Sequence, residues 1–171
     1  GPTAVGSSRT TALRIVNPGG LRSVRLWARQ PLDPTLRLLP DSLDLAPNDT
    51  AALMLTFHPT LRDFGWRTTT LRLRHNATEG DSLVVVEALG TGGLGDPTED
   101  GRVDVADLQR SIRYVLGLAT PDGQDRLVLD MAPFPQGDGQ LHLEDIVLLA
   151  QAIARDTWPD GHPLPVPPPT L

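Results

Sequence analysis

Residues 95 to 108 read GDPTEDGRVDVADL, and few backbone arrangements suit that spacing of acids. Asp96, Asp100, Asp104 and Asp107 stand at positions 1, 5, 9 and 12 of a twelve-residue window whose sixth residue is Gly101. A calcium loop of twelve supplies oxygen ligands from positions 1, 3, 5, 7, 9 and 12, with glycine at 6 for the sharp turn. Thr98 and the backbone carbonyl of Arg102 complete the set at positions 3 and 7. Thr98 is its weak member, because a hydroxyl is a poorer ligand than a carboxylate. The plainer alternative is an acidic turn in which Asp104 or Asp107 caps a helix. Five coincident positions weigh against it. Behind the loop, Leu108, Ile112 and Val115 recur at helical spacing, and Gly117 is a terminator.

The same arrangement returns 38 residues later, where Asp138-Gly139-Gln140-Leu141-His142-Leu143-Glu144-Asp145-Ile146 follows the pattern of residues 100–108. Ile146, Ala150 and Ile153 repeat the helix stripe. A repeat on this scale implies two loop-helix units that bury each other's apolar faces. Strict spacing would put Phe134 at the first ligand position of the second loop, and Phe cannot bind calcium. Asp130 lies eight residues before Asp138 where four are expected, which reads as a four-residue insertion. The second ligand set is then Asp130, Asp138, the carbonyl of Gln140 and Asp145, with a backbone carbonyl or Gln136 filling in. A metal-free second loop is the alternative.

Charge divides the chain near Thr91-Gly92-Gly93-Leu94-Gly95. Residues 1–93 carry a net +2 and residues 94–171 a net −8. The expectation is therefore multidomain: residues 1–92 as an all-β sandwich, 94–156 as a small helical calcium module, and 157–171 as a proline-rich tail. With no cysteine, disulfides and thiolate metal sites are excluded. No apolar run reaches the length of a membrane span, and the net charge of −6 argues against nucleic acid. The opening Gly1-Pro2 has the form left when a specific protease removes a tag, so the start of the chain is silent on a secretion signal.

In the first half, short alternating runs are separated by turn signals. Leu13 and Ile15 share a face, as do Val24, Leu26 and Ala28, then Leu53, Leu55 and Phe57, then Leu71 and Leu73. SLVVVEAL is richer in β-branched residues and reads as a more central strand. Asn17-Pro18-Gly19-Gly20, Pro40-Asp41, Pro47-Asn48-Asp49 and Glu79-Gly80-Asp81 supply turns. The pattern predicts a two-sheet antiparallel sandwich. In VGSSRTTALRIVNPGG, LDLAPNDTAALMLTFHPT and LRLRHN…LVVVEALGTG, residues 4–92 resemble the immunoglobulin-like family named for abnormal spindle protein, major sperm protein and hydin. An early strand usual in that family is missing, so the first strand is expected to be truncated. The resemblance implies a spacer or binding scaffold with no catalytic set.

Residues 94–155 resemble a dockerin, on the strength of two tandem loop-helix units with Asp at position 12 and of SIRYVLGL in the first helix. Asp-x-Ala-Pro ahead of Gly-Asp-Gly is similar to a variant of that family. The resemblance implies two calcium ions, calcium-dependent folding, and binding of a cohesin module on another extracellular protein. It also implies a bacterial-type secreted or cell-surface setting. Family recognition uses loop positions 10 and 11, here Val105, Ala106, Leu143 and Glu144. They lack the small hydroxyl pair of the best-known cellulosomal group, so partner specificity does not carry over.

The four histidines are scattered without metal-ligand spacing. No nucleophile-base pair or phosphate loop is legible, so an enzyme is not expected here. Asn48-Asp49-Thr50 and Asn76-Ala77-Thr78 match the glycosylation acceptor and mark exposed turns. Trp158 either packs back on the calcium module or stands exposed. HPLPVPPPTL favours an extended conformation and serves as linker, groove ligand or strap. The functional expectation is a calcium-dependent interaction module with the sandwich as spacer or stabiliser. Its alternative is a calcium-rigidified structural end of an adhesin or extracellular enzyme, with no external cohesin.

Overall fold

The computed structural model describes residues 1–20, 22–29, 33–77 and 81–165. Turn residues 79 and 80, Thr78 of the second glycosylation motif and the last six tail residues lie outside the described residues. Among the described residues, eight strands and three helices follow in chain order, with all strands preceding the helices. The structure divides into two compact units. One comprises residues 8–58 and 67–88, and the other residues 1–7, 59–66 and 89–171.

The strands are β1 (Thr3–Ala4), β2 (Arg9–Val16), β3 (Val24–Ala28), β4 (Leu36–Leu39), β5 (Ser42–Leu45), β6 (Thr50–Phe57), β7 (Gly65–His75) and β8 (Ser82–Thr91). They form a five-stranded sheet in the order β1-β8-β7-β3-β5 and a three-stranded sheet in the order β2-β6-β4. Leu26, Ala28, Leu71 and Leu73 from the first sheet share one core with Leu36, Leu38, Leu53, Leu55 and Phe57 from the second. The result is an immunoglobulin-like β-sandwich. Period-two alternation accounts for it: Leu26 and Ala28 point in while Arg25 and Trp27 point out, and Leu71 and Leu73 alternate with Arg72 and Arg74. Asn17 pins the first turn from inside, its Nδ2 donating to the carbonyls of Leu45 and Ala46 at 3.2 and 3.1 Å.

Two readings of the sequence differ from this arrangement. β4 lies outside the alternating runs read from the sequence, because four residues ending at Pro40 show too short a pattern. SLVVVEAL is not central. Its outer neighbour among the described residues is the two-residue β1, paired parallel at Thr3↔Gly90 and Ala4↔Thr91, and Leu83 and Val85 are exposed. β-branched side chains favour the pleated backbone whether or not both faces are covered.

The second unit holds α1 (Val105–Val115), α2 (Gly123–Leu129) and α3 (Leu143–Arg155). Its core is Phe64, Leu94, Val103, Val128, Leu129, Met131, Leu149, Ala152 and Trp158, with Val5, Leu61, Phe134 and Leu141 packed against it. Phe64, Leu61 and Val5 come from stretches well before the charge break. Trp158 packs inside, 1% exposed. Among the described residues, no helix is long and apolar enough to cross a membrane.

Candidate metal centre

α1 begins where the first acidic loop ends, and the same side chains serve both. Asp104 Oδ1 accepts from the Ala106 amide at 2.7 Å, and Asp107 Oδ2 accepts from the Asp104 amide at 2.8 Å. This reciprocal cap satisfies amides that the first helical turn leaves without partners. Asp107 is therefore drawn inward, and it has no exposed surface.

Asp96 is equally enclosed. Its Oδ2 accepts from the amides of Gly92 and Gly101, each at 2.9 Å, and its Oδ1 from the Asp100 amide at 3.1 Å. The Thr98 hydroxyl donates to Asp107 Oδ1 at 2.8 Å and lies 3.4 Å from Asp96 Oδ1, which brings the two buried carboxyls to one point. Asp100 Oδ1 takes the Arg102 amide at 2.9 Å. Gly101 has φ +81°, and a Cβ there would meet the Gly90 carbonyl at 2.7 Å, so this turn admits only glycine without strain.

Burial pushes the Asp96 carboxyl up to about 7, against the three amide donors, and the neighbouring Asp107 adds to the rise. Asp107 is raised for the same first reason, loss of water. Two carboxyls with their charged forms disfavoured, brought together at the Thr98 hydroxyl, suit a hard cation that would replace the missing water.

The second loop repeats four hydrogen bonds of the first. Asp130 accepts from the amides of Asp138 and Gly139 at 2.9 and 2.7 Å, as Asp96 does from Asp100 and Gly101. Asp138 accepts from the Gln140 amide at 2.9 Å, as Asp100 does from Arg102. Asp145 accepts from the His142 amide at 2.7 Å, as Asp107 does from Asp104. The other oxygen of Asp145 takes the amides of Met131 and Ala132, both at 2.7 Å.

The four extra residues are absorbed before Asp138. A Cβ on Gly137 would sit 2.2 Å from Asp130 Oδ1, so glycine clears the space that this aspartate enters. Phe134 stacks on Trp158 with ring centroids 6.0 Å apart and belongs to the core. Asp130 was legible as the nearest upstream carboxylate once an insertion was allowed; the need for glycine at 137, and the part played by the Met131 and Ala132 amides, had no sequence signal.

Not every expected ligand is gathered. Asp100 and Asp104 each commit one oxygen to the backbone, and His142 Nδ1 stands 4.0 Å from Asp138 Oδ2. Among the described residues, no three His, Cys, Asp or Glu side chains form a ready-made metal cage. The ligand sets expected here also draw on the Thr98 hydroxyl and on the carbonyls of Arg102 and Gln140.

The residues expected to meet a partner lie at the starts of α1 and α3, and all four are exposed. Val105 is 56% and Leu143 64% exposed, and Ala106 and Glu144 stand beside them. Ala106 also lines a shallow cleft of about 380 Å³ with Gln109, Arg110, Arg113 and Tyr114. Sequence reasoning missed the network behind that cleft, in which Arg110 Nε donates to the Tyr114 hydroxyl at 2.6 Å and that hydroxyl donates to Asp125 at 2.8 Å.

No family model matches this chain, and no curated protein sequence matches it. It is similar to several solved structures over about half its length. One is SSP-19, an MSP-domain protein like family member in Caenorhabditis elegans, at 12% identity and a TM-score of 0.41, covering 52% of this chain and 92% of that one. Another is the ASH / PapD-like domain 7 of human CEP192, at 16% identity and 0.42, covering 53% and 75%. A third is the Pseudomonas aeruginosa CupB2 chaperone, at 16% identity and 0.38, covering 52% of each chain.

Proposed function

We propose that the chain is a calcium-dependent protein-interaction module of the dockerin kind, carried behind an immunoglobulin-like sandwich in a secreted or cell-surface bacterial protein. The supporting observation is the shared hydrogen-bond scheme around Asp96 and Asp107 in one loop and Asp130 and Asp145 in the other. Asp96, Thr98, Asp100, the Arg102 carbonyl, Asp104 and Asp107 would hold one ion. Asp130, Asp138, the Gln140 carbonyl and Asp145 would hold a second. Bound calcium supplies positive charge to Asp96, Asp107 and Asp145, which the fold has taken out of water. The amides of Gly92, Asp100 and Gly101 fix Asp96, and those of Asp138 and Gly139 fix Asp130, so each loop is preorganised by its own backbone.

The partner is a cohesin-type module. Exposed apolar side chains at equivalent places in the repeat, Val105 and Leu143, give such a partner two matched contacts. The test is binding of the calcium-loaded chain to a panel of cohesin modules, with Val105→Asp/Leu143→Asp and added chelator as controls. At least one cohesin should bind, and both the double substitution and the chelator should abolish binding while the substituted protein still melts cooperatively. Binding that ignores both would contradict this reading.

A structural reading has its own support. Val5, Leu61 and Phe64 insert into the core of the helical unit, which ties distant stretches of chain together. In that case calcium would raise the melting temperature and no cohesin would bind.

A further inference from the structure

On the outer face of the sandwich, β3 and β7 assemble a group of side chains unrelated to the acidic loops. Trp27 is 44% exposed on β3, and Arg74 of β7 stands directly opposite it in the ladder. The ladder continues past Ala28↔Leu73, with the Arg29 amide donating to the Arg72 carbonyl at 3.2 Å. Arg29 thus faces Arg72 across the strands, and both are exposed. Like charges directly opposite each other destabilise a sheet.

Compensation is uneven, with Arg72 held to Asp81 through both Nε and Nη2. Asp81 is shared by Arg72 and Arg74, at 2.5 and 3.7 Å. Asp44 pairs with Arg25 at 3.5 Å, and Arg25 in turn lies 5.4 Å from the centre of the Trp27 ring. Among the described residues, Arg29 has no ion-pair partner. Two open depressions of about 470 and 600 Å³ flank this group and share Trp27 and Arg74.

The chemistry of the face limits what fits. Guanidinium groups offer only donors, and both nearby carboxylates are engaged, so a ligand must bring acceptors and negative charge. An extended peptide also brings a row of amide donors, whereas the guanidinium groups of this face accept nothing. Nucleic acid carries one charge per about 1.7 Å of duplex, a poor match for a chain of net charge −6. A hydroxylated ring with sparse carboxylates meets both conditions, and a flat indole offers a surface for its apolar face.

We propose that this face binds an acidic oligosaccharide, with a uronic-acid carboxylate held between Arg29 and Arg72 and a sugar ring laid on Trp27. The proposal is independent of calcium and of the cohesin reading. Titration calorimetry of the intact chain with a glucuronic acid trisaccharide tests it. Trp27→Ala and Arg29→Gln should each weaken binding at least about tenfold, and added salt should weaken it further. Arg29→Gln should melt no lower than the parent, since it removes an opposed charge; a purely structural arginine would lower it. The proposal is overturned by absence of binding, by equal binding of a neutral glucose trisaccharide, or by binding that survives both substitutions. Tighter binding of a hexaglutamate peptide or a single-stranded oligonucleotide would overturn it too.

Discussion

Asp96 is held by three amides and sees no solvent, so its protonation couples to the fold. Its ordinary value is 3.8 and its folded value about 7. Between those limits the folded, metal-free chain keeps a proton that the unfolded chain has lost. That contribution to stability is therefore fully present below pH 3.8 and is lost as pH rises through about 7. Calcium needs the ionised carboxylate and should act in the opposite sense. Melting curves with chelator should show this unit weakening from about pH 4 to 7, and the rise on adding calcium should be largest above 7. Asp96→Ala with Asp107→Ala should remove one bound ion and leave the sandwich folded, as read by metal analysis and far-UV circular dichroism. At Gly101, alanine meets both the left-handed backbone and the Gly90 carbonyl. Gly101→Ala should lower stability by about 1–3 kcal/mol or more in denaturant unfolding. The aspartates that share this hydrogen-bond scheme were legible in the first loop because their spacing is regular. Gly137 was not, because its role depends on where an inserted segment sends Asp130.

At the scale of elements, the existence of α1 and α3 was legible from apolar spacing, but the stripe expected on α1 is not its buried face: Ile112 is exposed, and Asp107 and Ser111 are the residues that α1 buries. α2 was not legible. Seven residues, GQDRLVL, give too few turns for a stripe, and the Asp122–Asp125 cap that starts the helix resembles loop chemistry in sequence. Strand faces were legible wherever alternation was strict, as in β3, β6 and β7. β8 misled because composition reports backbone preference and its neighbours report position. Leu149 lies at the buried centre of α3 with no exposed surface. Leu149→Ala should cost about 2–5 kcal/mol, measured as the chelator-sensitive part of unfolding. A change in the sandwich transition alone would contradict the assignment of Leu149 to the helical core.

For the whole molecule, the charge break at residue 93 suggested one cut, whereas the compact units interleave along the chain. Phe64 shows why sequence could not reveal this. It sits between strands in a stretch without period, yet it is 1% exposed in the helical unit's core, and a Cβ on Gly93 would collide with its ring at 2.0 Å. Nonlocal packing of this kind leaves no mark on spacing. Phe64→Ala should therefore destabilise the helical unit by about 3–5 kcal/mol. Trp158, enclosed in the same core, gives a fluorescence signal for that transition.

The paired loops are the centre of the account, and a calorimetric calcium titration of the chelator-stripped protein, beside its Asp130→Ala variant, tests them most directly. Two ions should bind the parent and one the variant, with a marked rise in the parent's melting temperature. No binding by the parent would contradict the metal centre altogether. Two ions in the variant would contradict the assignment of Asp130 to the second loop.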